Sequence, residues 1–363
     1  MIVRGWEGQP SVEALEREAE SGKRPRTPYV ALARALDADV IDSEFLQGKG
    51  RGASRLVGRR LGTVEGQVLE TFFRRRGYRR IVAFADRIGL ELALLLKFAR
   101  SRRDLVMVSN WLMSDSKRQF FDRGHVQSHI GTIVGYGSVQ LTLAAARYGF
   151  SPEQLHLALQ PVDEHFWRPT GGPVTDDLIC SVGCVSGFRD YATLIAATRD
   201  LPVRVQLAVG SLILSSGHRR TRADLFRSAM PPESMPSNIT HQFDLTSLEL
   251  RDLYARSRFV VIPLEDVDFD AGVTSITEAM AMGKAVIATR SKGQVDVLHD
   301  GVEGLYVPPK DPAALRAAIE FLLTNPDEAT RMGAAGRAAV LERHRLDDWA
   351  GRVSAIALAD TAI

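Results

Sequence analysis

The chain has 363 residues, 45% of them hydrophobic and 25% charged, with a formal net charge of +2. That length suits two domains of ordinary size, and the composition is that of a globular protein. So small a net charge argues against a dedicated nucleic-acid binder, and two cysteines, Cys180 and Cys184, exclude a disulfide framework and point to a reducing compartment.

The opening MIVRGWEGQPSVEALE has no apolar h-region, so no signal peptide is expected, and no run of about 18 apolar residues marks a membrane span. Residues 49–80 carry ten Lys/Arg and two Glu. Val57, Leu61, Val64, Val68 and Phe72 recur there at helical spacing, which predicts one apolar helix face with arginines around it. Two readings follow: a domain helix with a solvated basic face, or a contact with anionic lipid or an anionic acceptor. A helix cannot bury one stripe in its own core and in lipid together, so any membrane contact would be electrostatic.

Short apolar runs then alternate with amphipathic ones. RIVAFA (80–85), DLVMVS (104–109), GTIVGY (131–136) and LHLALQ (155–160) read as buried strands, with a helical pattern over 138–150. LICSVG (178–183), VRVQLAVG (203–210), FVVIPL (259–264) and AVIAT (285–289) form a second series, with DYATLIAATRD helical between the first two. The alternation predicts an α/β protein of two tandem doubly wound, Rossmann-like domains facing a cleft. The Pro- and Gly-rich segment 160–177 is the expected linker, giving domains 1–160 and 161–345. The amphipathic pattern over 346–363 predicts a helix that packs back on the first domain. Residues 211–237 form a long polar insertion, expected to be functional or mobile.

The chemistry concentrates in DFDAGVTSITEAMAMGKAVIATRSKG (268–293). After the strand FVVIPL comes an acidic turn, then a helix from about Thr274 to Met282, capped by Thr274 or Ser275 and ended by Gly283. The turn at 265–273 and the loop at 290–293 should face one crevice beyond the strand ends. The amides of Gly272, Val273 and Thr274 at the helix N-terminus suit a phosphate. Asp270 before the helix and Glu278 on its inner face can accept bonds from sugar and ribose hydroxyls. That constellation fits a nucleotide sugar.

DAGVTSITEAMAMGKAVIAT (270–289) resembles the E-x7-E motif of the retaining nucleotide-sugar glycosyltransferases of family 4, which have the GT-B fold. The second acid is Glu278, and the first is replaced by the shorter Asp270. VDEHFWRP (162–169) is similar to the family's interdomain segment, and SVGCVSGFRDYATLIAA (181–197) to its diphosphate-binding segment. In that segment Gly183 is kept, Cys184 stands where the family has Arg, and Arg189 stands where it has Lys. Residues 293–323 also resemble the segment that follows the motif. The resemblance covers roughly 160–345 well and 1–159 weakly. It implies that Glu278 binds the ribose, Asp270 contacts the transferred sugar, and Arg189 holds the diphosphate. It places the acceptor on the first domain and the nucleotide sugar on the second. Lys292 or an arginine of 219–222 could replace the second phosphate cation. Asn110, after DLVMVS, is expected to line the active site, and the tract Gly5–Gly8 to bring backbone, Gly8 included, against the diphosphate.

Bland readings stand beside these. Glu278 alone would be a solvated charge, and Arg189 alone a surface ion-pair partner. Glu265, Asp266, Asp268 and Asp270 could hold a hard cation, but their spacing is not of the EF-hand kind and no metal is expected. Cys180 reads as a buried thiol and Cys184 as a small loop residue. The scattered histidines carry no role. The expectation is therefore a retaining, metal-independent enzyme without a cofactor. Its donor is a nucleoside-diphosphate sugar, UDP most readily, and its acceptor a hydroxyl compound, a small molecule ahead of a lipid-linked glycan. No nucleic acid partner is expected. The location is cytoplasmic, with peripheral contact to an anionic inner membrane face through 49–80 as the variant. The alternatives are a non-catalytic sugar-nucleotide-binding protein, a nucleotide-sugar epimerase, or a glycosyl phosphorylase.

Overall fold

A computed structural model describes residues 1–4, 10–101, 105–184, 188–210 and 235–359. The expectations for Gly8 and its tract, for the arginines of 219–222 and for most of the 211–237 insertion lie outside the described residues. Contacts divide the chain into two compact units. Unit 1 is Met1–Gly22, Arg26–Leu159 and the segment from Leu346; unit 2 is Gln160–Arg345 with Lys23–Pro25.

Unit 1 holds six parallel strands: β1 (Ile2–Val3), β2 (Val40–Ile41), β3 (Ile81–Ala83), β4 (Leu105–Ser109), β5 (Thr132–Gly135) and β6 (Leu155–Leu157). Their order is β2-β1-β3-β4-β5-β6. Alternate side chains of each strand feed opposite cores, as a pleated strand requires. Ile81, Leu105, Met107 and Ile133 pack on one face, and Val82, Val106, Val108 and Val134 on the other. The second face is covered by the helix Leu346–Leu358, whose Leu346, Trp349, Ala350, Val353 and Ala357 recur at helical spacing and are all buried.

Unit 2 holds β7 (Leu178–Cys184), β8 (Arg204–Gly210), β9 (Ile239–Phe243), β10 (Val260–Ile262), β11 (Val286–Thr289) and β12 (Gly304–Val307), again all parallel. The order β12-β11-β10-β7-β8-β9 is the doubly wound arrangement in which strand direction of travel reverses between the first and fourth strands. Cys180, Val182, Val260, Ile262 and Val286 face one core; Ile179, Val261 and Ile287 face the other. Burial pushes the Cys180 thiol up to about 12, so it is inert at neutral pH.

Two expectations need correction. The stripe over 49–80 is not one helix. It breaks into Gly52–Leu61 and Thr63–Arg74 at Gly62, whose φ of 132° only glycine adopts easily. Leu61, expected in the stripe, is therefore 71% exposed, while Val68 is buried. Cys184 is the last residue of β7 and not a loop residue, because β7 stays paired with β8 as far as Cys184 opposite Gly210.

Candidate functional site

In a sheet of unit 2's order, ligands bind beyond the carboxyl ends of the strands where the order reverses, here β7 and β10. The segment after β7 returns against the segment after β10. Arg189 and Leu264 form an antiparallel bridge, Asp190 N donates to Pro263 O at 3.1 Å, and Glu265 N donates to Phe188 O at 3.3 Å. Lys310 clamps the pair, with Nζ 3.2 Å from Asp190 Oδ2 and 2.5 Å from Glu265 Oε1. Asp190 also accepts from Thr193 N at 3.1 Å, capping the helix Tyr191–Thr198.

This clamp fixes Arg189. Its Nε donates to Val182 O at 3.3 Å, and the guanidinium lies so close over Gly183 that a Cβ there would collide with it. A Cβ on Gly272 would stand 3.5 Å from Arg189 Nη1. The cation thus sits between the end of β7 and the N-terminus of the helix Val273–Ala281.

That helix starts on Gly272, in the left-handed conformation with φ 80°, and no side chain caps it. Thr274 and Ser275 were the expected caps. Both lie inside the first turn instead, because the left-handed residue begins the helix at Val273. Val273 N donates to Asp270 O at 3.2 Å, which leaves the amides of Thr274 and Ser275 to an anion. A larger residue does not fit at 272: a Cβ would lie 2.9 Å from Ile262 Cγ2 and 3.0 Å from Leu264 Cδ2.

Thr274 is exposed and Glu278, one turn on, is partly so, while Val273, Ser275, Ile276, Thr277, Ala279, Met280 and Ala281 are buried. Thr274 and Glu278 therefore share the helix's one open face. Burial of its carboxyl pushes Glu278 up to about 8, opposed by the Tyr254 hydroxyl, which donates to Oε2 at 3.2 Å. Tyr254 is fully buried and packs edge-on against Trp167, centroids 5.8 Å apart.

The turn before the helix rests on the loop after β11. Gly293 N donates to Val267 O at 2.8 Å, Lys292 N to Asp266 Oδ1 at 3.0 Å, and Gln294 Nε2 to Ala271 O at 2.9 Å. Asp270 is 6% exposed within this turn. Lys292, expected on a diphosphate, is ion-paired with Asp266 at 3.0 Å. Glu265 and Asp266 of the acidic run thus each face a lysine. In unit 1, Asn110 is exposed directly after β4. The next residue, Trp111, donates its N–H to Asp86 Oδ2 at 3.2 Å, and Lys117 Nζ lies 2.9 Å from the same oxygen.

Unit 2 thus gathers Asp270, Gly272, Val273, Thr274, Ser275, Glu278, Gly183 and Arg189 around one strand crossover. Asn110 belongs to unit 1's own strand ends, and Lys292 to an ion pair. The sequence reading missed Tyr254, Lys310 and Gln294. Only Gln294 had a signal, its place directly after RSKG; Tyr254 and Lys310 reach the site across helices and loops that no local pattern connects.

Residues 173–339 match the family described as glycosyl transferases group 1. A D-inositol 3-phosphate glycosyltransferase of Corynebacterium urealyticum is 27% identical over 218 residues, 54% of this chain and 47% of that one. An MMP alpha-(1->4)-mannosyltransferase of Mycolicibacterium hassiacum is 25% identical over 251 residues, 67% of this chain and 58% of that one. The chain spans about half the length of the curated relatives it matches. HepE of Anabaena, solved with UDP-glucose, superposes with a TM-score of 0.70 at 15% identity, over 98% of this chain and 97% of that one. The shared fold is that of GT-B glycosyltransferases, two six-stranded parallel sheets flanked by helices.

Proposed function

We propose that the protein is a retaining glycosyltransferase that moves a sugar from a nucleoside-diphosphate sugar, UDP-linked, to a hydroxyl acceptor, with unit 2 as the donor domain and unit 1 as the acceptor domain. The observation that carries this is the uncapped helix at Gly272 with Arg189 set against it and Glu278 on the open face one turn along. A diphosphate suits the Thr274 and Ser275 amides and the Arg189 guanidinium, and ribose hydroxyls suit Glu278. Asp270, with the backbone of Gly272 and Val273, is the proposed contact for the transferred sugar, and Gly183 lets Arg189 lie flat. Asn110 is the proposed residue of the acceptor side. The relatives named for glycosyl and mannosyl transfer, and HepE with its bound UDP-glucose, support the class of donor.

In the reaction the bond between the anomeric carbon and the leaving phosphate oxygen breaks. The acceptor oxygen attacks from the same face, and its proton passes to the departing phosphate. Catalysis is positioning and electrostatics, with amides and Arg189 meeting charge as it develops on the diphosphate. No protein nucleophile and no metal enter this scheme. The departure at Cys184 favours one rival, a binding protein without turnover.

The test is to incubate the protein with a panel of nucleotide sugars and measure free nucleoside diphosphate, with and without EDTA. Release from a UDP-sugar that survives chelation is expected, and Arg189→Ala should lower kcat more than it raises KM. Tight calorimetric binding with no release from any donor would favour the binder. Loss of release in EDTA, restored by a divalent ion, would return the acidic turn to the metal reading.

A further inference from the structure

The helix Gly52–Leu61 of unit 1 uses its smallest residues to hold on to the fold. Ser54 is its only buried residue. A Cβ on Gly66 of the next helix would stand 2.8 Å from Gly58 Cα and 2.8 Å from Ser54 O, so the two backbones touch there. This contact turns the large side chains outward. Arg55 with Arg59, and Leu56 with Arg60, each pair four apart, line adjoining exposed strips of the helix, and Leu61 is exposed as its last residue. Leu56 is 51% exposed and Leu61 71% exposed. No acidic residue occurs in the helix, and among the described residues none is ion-paired with Arg55, Arg59 or Arg60. Arg51, at the N-cap, lies over the ring of Phe73, 5.4 Å from its centroid, and Phe73 is itself 38% exposed.

We infer that this helix docks unit 1 onto an anionic lipid surface, arginines on the headgroups and Leu56 and Leu61 in the acyl boundary. The break at Gly62 makes this possible. It assigns core packing to Thr63–Arg74, which buries Gly66, Gln67, Val68, Glu70 and Thr71, and leaves Gly52–Leu61 free for another surface. The objection that one stripe cannot serve core and lipid together therefore falls away. Charge complementarity names an anionic partner, and the two leucines distinguish lipid from nucleic acid, whose phosphates would meet arginines without needing exposed aliphatic side chains. Among the described residues no helix is long and apolar enough to cross a membrane, so the contact is peripheral. The inference is independent of the donor chemistry.

Co-sedimentation of the full chain with phosphatidylglycerol-containing and pure phosphatidylcholine vesicles tests it. Retention on the anionic vesicles alone is expected at low salt. Arg55→Gln/Arg59→Gln/Arg60→Gln should weaken it on the order of 100-fold, each arginine removed leaving about one fifth of the binding. Leu56→Ser/Leu61→Ser should weaken it about tenfold or more, since each leucine buries its side chain from water. Unchanged circular dichroism melting would show that both variants fold, as their exposed positions lead one to expect. No retention of the native chain, equal retention on both vesicle types, or a serine variant that sediments like the native chain would overturn the inference. So would binding to duplex DNA or RNA that ignores the leucine substitutions and exceeds vesicle binding.

Discussion

Glu278 is held with its carboxyl pushed up to about 8 by burial, although the Tyr254 hydroxyl pulls the other way. Hydroxyl groups of a ligand donating to it would favour the anion and bring its titration down. Binding of UDP near pH 7 should therefore release a proton, read by calorimetry in buffers of different ionisation enthalpy. Glu278→Gln should abolish the release and weaken binding by roughly 1.5–3 kcal/mol, the scale of hydrogen bonds to a charged group. The same shift acts on folding. Between the ordinary carboxylate range and pH 8 the folded chain holds a proton that the unfolded chain has lost, so stability falls as pH rises through that window. The Gln variant should lose that part of the slope. UDP binding with no buffer dependence, or one unchanged in Glu278→Gln, would remove this carboxyl from the nucleotide.

The helix Val273–Ala281 offers the proposed anion site because of how it begins. Gly272 takes φ 80° under Ile262 and Leu264, and the chain turns sharply enough to leave two amides uncapped. Gly272→Ala meets both the left-handed backbone and the crowding, and should cost about 1–3 kcal/mol of stability. Donor affinity should fall with it, since the helix N-terminus and Arg189 move together; a variant with native melting and native UDP affinity would contradict this. The sequence made this helix legible to within one residue, because its small and apolar residues leave only one open face. It misplaced the cap, because a glycine turn does the work usually given to a side-chain oxygen. Strands were legible where both faces are buried, as in β4, β7 and β10. β2, β9 and β12 were missed, and each is an edge strand. β9 exposes Thr240, His241 and Gln242, so no apolar run marks it. β1 is central but only two residues long, too short for any periodicity. The basic stretch at 49–80 was misread for the opposite reason: the apolar period runs smoothly across Gly62, and the break lies in the backbone.

At the scale of the whole chain, unit 1 is completed by a segment that follows all of unit 2. The chain leaves unit 1 at Leu159 and returns at Leu346. The two crossings are tied side by side: Val162 N donates to His344 O at 2.9 Å, and His344 Nδ1 lies 2.9 Å from Gln160 O. Unit 1 therefore meets the return helix at short range once unit 2 has folded, and the entropy of closing that long connection is already met by unit 2's own contacts. What the helix brings is large. Trp349 is fully buried, and its ring packs against Phe84 and Tyr136, each 6.1 Å away between centroids. Trp349→Ala should cost about 3–5 kcal/mol, the range for emptying an aromatic core site. That loss should fall on unit 1 alone, since every partner of Trp349 named here belongs to it. Urea unfolding followed by limited proteolysis reads the difference. Cleavage within 26–159 should appear at lower urea in the variant, while residues 160–345 stay protected to the native midpoint. If the two units lost protection together, the return helix would be a shared element of one cooperative fold. If neither shifted, the cavity would be filled by repacking around Phe84 and Tyr136, and the helix would owe its place to other contacts.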